Sequence, residues 1–248
     1  MSKLLQDFPP GPLDFYRKKA SFDWKKLKVF IDTEDVVQYQ NELHEVLKTH
    51  PEYQNNLLSR SFDEERRTST RRALALQNLE LASLPTILEN IKRAPVLLRT
   101  MMQLSSGSTV KESVGSQLFN SVLRGQGTER HSIFLEKSEN GEIYGCFCLT
   151  EIGHGTNTKG MKTTATYDKE KQQFVMHTPD FEAAKCWAGG LGQMASHAIV
   201  YAQLYVDGVH HGLHTFVVPI RDPKTLLPHP GVIVGDMGEK IGLNGIDN

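Results

Sequence analysis

A change in hydrophobic periodicity near Asn140-Gly141 is the feature that most constrains the fold of this 248-residue chain. Before it, apolar residues recur at helical spacing. After it, short runs rich in Val, Ile, Phe and Thr show period two. Helical and strand signals in separate halves of a chain predict an α+β fold rather than alternating βαβ units. We therefore expect an N-terminal helical domain at residues 1–140 and an antiparallel β domain at residues 141–248.

Two segments of the first half have helix signals. Residues 34–48 carry apolar residues that suit one helix face, and Pro51 marks the end of that helix. Ser61 and Glu64 have the spacing of a capping box, in which each side chain accepts a hydrogen bond from a free backbone N–H. A second helix is therefore predicted to begin at residue 61 and run to residue 84. Its leucines cover more than one face, which indicates burial inside a bundle.

The second half predicts strands at residues 144–149, 162–167, 173–177, 198–206 and 213–220. Residues 168–172 and the pair Asp207-Gly208 lie between strands and suit hairpin turns. These two hairpins are the basis for predicting an antiparallel sheet.

Charge and cysteine content exclude several classes of protein. The chain has 28 basic and 29 acidic residues without a dominant block of one sign, so we expect neither a nucleic-acid nor a membrane-surface partner. Cys146, Cys148 and Cys186 are too few for a disulfide framework and are predicted to be reduced, mostly buried thiols. No apolar run approaches the roughly 20 residues of a membrane span, and we expect a soluble, intracellular protein.

Common catalytic and cofactor motifs are absent. Histidines at 210, 211 and 214 lack the H-E-x-x-H pattern of a zinc helix, so no metal site is predicted. There is no G-x-S-x-G elbow. The run Gly189 to Gly192 lacks the G-x-G-x-x-G order of a dinucleotide fingerprint, although glycine also lets a flat ring approach the backbone closely. The charged segment 63–72 is interpreted as a solvated helix face rather than an anion site.

The stretch CFCLTEIGHGTNTK, residues 146–159, changes abruptly from an apolar strand to a loop with glycines, a histidine and hydroxyls. Such a loop presents N–H and O–H donors that could bind the polar edge of a heterocycle. An ordinary β turn with satisfied hydroxyls explains the same residues. The stretch by itself leaves both interpretations open.

Four blocks of sequence together resemble the peroxisomal acyl-CoA oxidases. They read CFCLTEIGHGTNTKGMKTTATYD, PDFEAAKCWAGGLGQMASHAIVYAQL, GLHTFVVPIRDP and PGVIVGDMGEKIGLNGIDN, in family order over residues 146–248. Weaker similarity extends upstream through FPPGPLDFYRKKASFDW and GTERH. PDFEAAK and IRDPKTLLPHPG are most similar to the branched-chain (pristanoyl) type. His154 and Thr156 resemble oxidases rather than the related dehydrogenases.

The resemblance implies an FAD enzyme that converts acyl-CoA and O2 to trans-2-enoyl-CoA and hydrogen peroxide. The flavin would carry the redox chemistry, and the protein would orient it. The resemblance implies cofactor contacts by Thr150, with Leu149, Glu151 and Ile152 beside it, and by Gly155 and Thr156 in the adjoining loop. It also implies that Gly189 lets a second segment approach the ring. Trp187 is expected either near the ring or in the core.

The family's catalytic base is a glutamate in a helical domain downstream of the β domain. We therefore expect residues 1–248 to lack the C-terminal helical domains and the base, since neither Glu151 nor Glu182 matches it. The resemblance further implies a homodimer and a peroxisomal location, although no targeting signal is found at residue 248. A noncatalytic product that pairs or competes with full-length subunits is the alternative.

Overall fold

The computed structural model describes residues 4–54 and 59–248 and has two compact units. Within those residues, the first unit falls in Met1–Arg60 and Arg71–Ser105, and the second in Ser61–Thr70 and Ser106–Asn248. The predicted α+β class is confirmed, because helices precede a sheet. The predicted domain boundary at residue 140 stays a prediction, and helical residues 106–140 lie in the same compact unit as the strands.

Helices dominate the chain up to residue 139. The α-helices are α1 Asp14–Arg17, α2 Trp24–Asp32, α3 Glu34–Thr49, α4 Phe62–Gln77, α5 Leu84–Glu89, α6 Arg93–Glu112, α7 Leu118–Gln126 and α8 Ser132–Glu139. A π-helical turn, Ser113–Gln117, joins α6 to α7. Shorter 3-10 turns are Pro51–Tyr53, Glu80–Ala82, Glu129–His131, Thr158–Gly160 and Phe181–Ala183.

Helix α3 forms the core of the first unit, as its apolar spacing predicts. It buries one face that includes Val36, Leu43 and Leu47, whereas Val46 is partly exposed. This face packs with residues from the 3-10 turn after Pro51 and from α4, α5 and α6, among them Tyr53, Leu76, Ile87, Val96 and Met101. The contacts bring helices from distant parts of the sequence around one hydrophobic core.

Helix α4 begins where the capping box predicts, because the Ser61 hydroxyl accepts a hydrogen bond from the Glu64 backbone N–H at 3.3 Å. The predicted end at residue 84 is wrong: α4 stops at Gln77, and a 3-10 turn and α5 follow. The expected burial inside a bundle does not extend to every leucine of this segment. Leu76 is buried, but Leu74 is 55% exposed and Leu84 is 68% exposed.

The strands agree closely with the period-two pattern. They are β1 Gly145–Cys148, β2 Thr164–Asp168, β3 Gln173–His177, β4 His197–Val206 and β5 Val209–Pro219. Both predicted hairpins are confirmed, since β2 pairs with β3 and β4 with β5 in antiparallel fashion. Asp207 and Gly208 both have positive φ, at 53° and 75°. This geometry is that of a two-residue turn whose twist matches the flanking strands.

The sheet is mixed, and the predicted fully antiparallel pairing is wrong for β1 and β2. Both strands pair in parallel with β4: residues 145–148 lie beside 197–200, and residues 164–166 beside 203–205. Strand β5 pairs along the other edge of β4. A parallel pair needs a long connection, and residues 178–196 supply it between β3 and β4. Hairpin signals report only local pairings and therefore missed this connection.

The sheet buries side chains on both faces. Cys146, Ala198 and Val200 belong to one buried cluster, together with Ala188, Ala195 and Ile220 from the loops. Ile199 belongs to the other cluster, with Phe119 and Leu123 of α7. Successive residues of β4 thus point to opposite faces, as a strand requires. The predicted buried thiols are confirmed for Cys146 and Cys148, whereas Cys186 is half-buried.

The structure also bears on the sequence expectations about metal binding and membrane spans. Among the described residues, no grouping of His, Cys, Asp and Glu is suited to hold a metal ion. Of the predicted histidine cluster, His210 hydrogen-bonds Gln203 at 2.8 Å and stacks on Tyr205. None of the helices in the described ranges combines the length and the apolar character that crossing a bilayer requires.

Helices α4 and α6 pack closely against the segment around residue 245. The contact is made by a serine and two glycines, and we call it the interlock. A Cβ on Gly245 would lie 1.9 Å from Ser69 Oγ and 3.1 Å from Gly107 Cα. A Cβ on Gly107 would lie 2.8 Å from Gly245 Cα. Such distances are far inside van der Waals contact, so only glycine lets these three backbones pack so closely.

We predict that Gly245→Ala destabilises the protein by about 1–3 kcal/mol, the usual effect of an extra methyl group in a packed interior. The new Cβ must displace Ser69 or move the backbone of Gly107. Urea unfolding, followed by circular dichroism, measures the change.

Gly125→Ala in α7 is the matched control, because no atom lies within 4 Å of its Cβ position. In this exposed helical position, alanine should stabilise the protein by about 0.5–1 kcal/mol. Equal effects of the two substitutions would contradict the close-packing argument.

Candidate functional site

The loop after β1 and the segment before β4 lie side by side. The Cys186 N–H donates to the Thr150 carbonyl at 3.0 Å, and the Ile152 N–H donates to the Ala184 carbonyl at 3.0 Å. The Gly153 N–H continues this pairing by donating to the Glu182 carbonyl at 2.8 Å. The structure therefore brings together the two segments that the sequence predicts to approach one ring.

A tight turn reverses the chain after Thr150. The backbones of Glu151 and His154 exchange both hydrogen bonds, each at 3.1 Å. Gly153 sits within this turn, and a Cβ there would lie 3.2 Å from Glu182 Cβ, which is a tight contact. Gly155 and Thr156 follow on the exposed side of the loop, and no atom lies within 4 Å of the Cβ position of Gly155. The loop therefore leaves open space beside Gly155.

The side chain of Glu151 points into the protein and is 1% exposed. Its carboxylate accepts hydrogen bonds from the backbone N–H groups of Lys162 at 2.8 Å and Thr163 at 2.9 Å. It also forms an ion pair with Lys185 Nζ at 3.1 Å. A buried charge is tolerable when it is paired and hydrogen-bonded in this way. The structure thus gives Glu151 a structural role, and its predicted cofactor contact stays a prediction.

Lys185 completes this buried cluster and was not predicted from the sequence. Its ammonium group also donates to the Leu149 carbonyl at 3.2 Å. No sequence signal could have identified Lys185, because its partner Glu151 is distant along the chain and pairs with it only through the fold.

The two charges shift each other's proton affinity. Burial raises the pKa of the Glu151 carboxyl, but hydrogen bonds from Thr163, Lys162 and Lys185 outweigh burial and hold the pKa below its ordinary value. Burial lowers the pKa of the Lys185 ammonium, and the bond to Glu151 opposes that change. The cluster therefore favours an ionised carboxylate.

Thr150 and Ile152 present side chains that the protein does not enclose. Thr150 is half-buried, and within residues 4–54 and 59–248 no hydrogen bond engages its hydroxyl. Ile152 is 47% exposed. Leu149, directly before them, is half-buried and uses its carbonyl to bind Lys185. A free hydroxyl beside an apolar side chain can bind a ligand with one polar edge and one apolar face.

Trp187 has a backbone conformation that tryptophan rarely adopts. Its φ is 60° and its side chain is 61% exposed, so the alternative of a core tryptophan does not hold. The residue directly follows Cys186, which pairs with Thr150. Non-glycine residues with strained φ occur more often at binding sites than elsewhere. The exposed indole therefore belongs with Thr150 as a candidate contact.

Gly189 is required for a different reason from the one predicted. A Cβ there would lie 2.3 Å from Val114 Cγ2 and 2.6 Å from Ile246 Cδ1. Side chains of the protein itself occupy the space that the sequence argument gave to a ring. Close internal packing accounts for this glycine, and its cofactor contact stays a prediction.

A second buried ion pair holds the glycine segment in place and was also missed. Asp247 pairs with Lys111 at 3.1 Å, and both side chains are almost completely buried. The Asp247 carboxylate accepts the backbone N–H groups of Gln193 at 2.9 Å and Met194 at 3.0 Å. Its carbonyl accepts the Gly190 N–H at 2.6 Å. Asp247 thereby fixes the turn that follows Gly189.

We predict that Glu151→Gln lowers the free energy of unfolding by roughly 3 kcal/mol at neutral pH, because Lys185 then loses its buried counter-charge. The folded-state pKa of Glu151 lies below its ordinary value of 4.5, so the stabilisation is present above that pH. It is lost as pH falls through the folded-state pKa. The difference between the variant and the unaltered protein should therefore shrink below about pH 4.5 in denaturant titrations.

Glu182→Gln is the control for this experiment. Glu182 pairs with Lys162 on the surface, with a side chain that is 66% exposed. Its loss should change the free energy of unfolding by less than about 1 kcal/mol. A deficit in Glu151→Gln that persists unchanged at acidic pH would contradict the role assigned to the ionised carboxylate.

Comparison with known proteins identifies the family. Residues 146–248 match the family described as "Acyl-CoA dehydrogenase, middle domain". The chain is 41% identical over 247 residues to the human "Peroxisomal acyl-coenzyme A oxidase 3", covering 99% of this chain and 35% of that protein. It is 38% identical over 238 residues to "Acyl-coenzyme A oxidase acox-3" of Caenorhabditis elegans, covering 95% of this chain and 35% of that protein.

Solved structures show the same fold. Acyl-CoA oxidase 3 from Yarrowia lipolytica superposes with a TM-score of 0.82 and 30% identity, covering 95% of this chain and 34% of that one. Acyl-CoA oxidase-2 of C. elegans, bound with FAD, ascaroside-CoA and ATP, superposes with a TM-score of 0.79 and 28% identity. That match covers 100% of this chain and 37% of the other. The chain thus spans about a third of the length of these relatives. In sequence and in fold, along nearly its whole length, the chain is strongly homologous to the peroxisomal acyl-CoA oxidases.

Proposed function

We propose that this chain provides part of the flavin site of an FAD-dependent acyl-CoA oxidase, which converts acyl-CoA and O2 to trans-2-enoyl-CoA and hydrogen peroxide. The observation that carries this proposal is the 41% identity to a human acyl-CoA oxidase over nearly the whole chain. An acyl-CoA oxidase of the same fold that is bound with FAD supports the cofactor. By the same reasoning, we propose a peroxisomal location and a homodimer.

The residues of the candidate site fit a flavin. A flavin has a flat apolar ring and a polar edge, and it requires an open apolar surface next to hydrogen-bonding groups. Ile152 and Trp187 are exposed, the hydroxyl of Thr150 has no described partner, and the space beside Gly155 is open. Gly189 contributes through packing rather than through an open face. The fit therefore depends on residues 150–156 and on Trp187.

The bound cofactor would supply the acceptor for the hydrogens removed from the substrate. The residues of this chain would bind and orient it. The Thr150 hydroxyl would hydrogen-bond the polar edge of the ring, where negative charge develops on reduction. Ile152 and Trp187 would cover apolar surface and exclude water. Thr156, exposed on the neighbouring loop, would border the substrate.

Neither glutamate near the site is suited to take the substrate proton. The carboxylate of Glu151 is buried and fully engaged with Lys162, Thr163 and Lys185. Glu182 pairs with Lys162 on the surface. A general base must reach its proton directly or through one water molecule. We therefore propose that the base of the oxidase is not among these two residues.

The acyl group is proposed to be branched. The segments PDFEAAK and IRDPKTLLPHPG, in which the chain is most similar to the branched-chain type, support this proposal. A branched acyl-CoA and a straight one of equal length are the probes that test it, with their dissociation constants from the FAD-bound protein as the readout.

Trp187 provides a direct test of flavin binding. The chain has two tryptophans, so Trp24→Phe leaves Trp187 as the single indole. Titration with FAD should quench the fluorescence of this variant, because a flavin beside an indole accepts its excitation energy. A variant that keeps Trp24 and carries Trp187→Phe should show much weaker quenching. Equal quenching in the two variants would contradict the proposed site.

Thr150→Val should weaken FAD binding by about fivefold to tenfold, the loss expected for one hydrogen bond. Thr150→Ser keeps the hydroxyl and serves as the matched control, with near-normal affinity. Equilibrium titration of each variant gives the dissociation constants. Unchanged affinity in Thr150→Val would show that the hydroxyl does not bind the cofactor. FAD binding without peroxide formation is the result expected of residues 1–248 without the base, and robust turnover would contradict that expectation.

A further inference from the structure

We propose that Glu151 and Lys185 form a positioning pair for the flavin site: they hold the Thr150 loop against the Cys186 segment, and their mutual neutralisation keeps the electric field at the ring small. This inference rests on the proposed function, because it assigns the pair a role toward the flavin. Neither residue needs to touch the cofactor.

The first step of the argument is that the pair joins three segments. Glu151 binds the backbone N–H groups of Lys162 and Thr163, which directly precede β2. Lys185 binds Glu151 and the carbonyl of Leu149. The Thr163 hydroxyl adds a bond to the Ala183 carbonyl at 3.2 Å. Loss of either charge would loosen the loop before Thr150, the start of β2 and the segment that leads to Trp187.

The second step is that the pair lies directly behind the predicted flavin contacts. Glu151 follows Thr150 in sequence, and Lys185 precedes Cys186, whose N–H binds the Thr150 carbonyl. The side chains of the pair are 0% and 9% exposed. Water therefore screens these charges poorly, and an unbalanced charge here would act over a longer range than one on the surface.

The third step is the balance of charge. With both residues ionised, the cluster is neutral. Glu151→Gln leaves the cation of Lys185 without a counter-ion. Lys185→Met leaves the carboxylate of Glu151 without a counter-ion. Reduction of a flavin adds negative charge to the ring, so a nearby cation favours the reduced form and a nearby anion opposes it. The two substitutions should therefore change the reduction potential in opposite directions.

Amide hydrogen exchange of the protein without FAD tests the anchoring. In Glu151→Gln and in Lys185→Met, the N–H groups of Ile152 and Cys186 should exchange about tenfold faster or more, because both report opening of the paired segments. Glu182→Gln, which removes a surface ion pair beside the same loop, should leave these rates unchanged. Unchanged exchange in both buried-pair variants would overturn the anchoring.

The reduction potential of the FAD-bound protein tests the charge balance. We expect a positive shift in Glu151→Gln, a negative shift in Lys185→Met and no shift in Glu182→Gln. The measurement is made at the acidic end of the stable pH range, so that Lys185 is protonated although burial lowers its pKa. Shifts of the same sign in the two single variants would indicate general loosening of the site and overturn the electrostatic part.

The double variant Glu151→Gln/Lys185→Met keeps the charge-balance argument testable if the single variants do not fold. It carries no charge at positions 151 and 185, and replacing a buried ion pair by neutral groups often costs little stability. Its reduction potential should return close to that of the unaltered protein; a persistent shift would overturn the charge-balance argument. Failure of the unaltered protein to bind FAD would overturn the proposed function and the electrostatic part together, whereas the exchange experiment would still decide the anchoring.

Discussion

Strand β4 is the element on which the second unit depends, because it is hydrogen-bonded along both edges. β5 occupies one edge over the whole length of β4, and β1 and β2 follow each other along the other edge. This arrangement fixes where β1 ends and where the chain approaches β4. Because β1 runs parallel to β4, Cys148 lies beside Val200, and residues 182–186 pair with the loop after Cys148 before the chain enters β4 at His197. The candidate site is a consequence of this pairing.

The candidate site combines buried charges with exposed side chains that are predicted to contact a ligand. Glu151 and Lys185 face the interior, while Thr150, Ile152 and Trp187 remain accessible. Glu151 and Lys185 form an isolated β-bridge outside the named strands, and the residues on either side of Glu151 are more exposed than Glu151 itself. One short segment can therefore anchor the loop with one residue and present the next to a ligand. This also explains why a conspicuous glutamate beside the site is unsuited to proton transfer.

Local sequence patterns predicted much of the fold, but they did not predict contacts between residues far apart in sequence. The period-two runs located every strand to within four residues at either end, because alternation reflects burial at neighbouring positions. The parallel pairing of β1 and β2 with β4 escaped prediction, since register between distant segments leaves no local signal. The family resemblance predicts Thr150 as a cofactor contact, and that contact stays a prediction. The roles of Lys185 and Asp247 could not be predicted, because each acts through a partner far away in sequence. The cofactor contact of Gly189 stays a prediction, and the packing of Val114 and Ile246 against it left no signal in the sequence.

The interlock of Ser69, Gly107 and Gly245 also bears on how the second unit folds. Its members come from α4, α6 and the segment around residue 245, so the contact joins segments that are far apart in sequence. Contacts between residues so distant in sequence slow folding, because the intervening chain must be ordered first. During synthesis, α4 and α6 would leave the ribosome long before Gly245 does. Their facing surfaces would remain open for that interval, so this part of the second unit can close only after residue 245 has been synthesised.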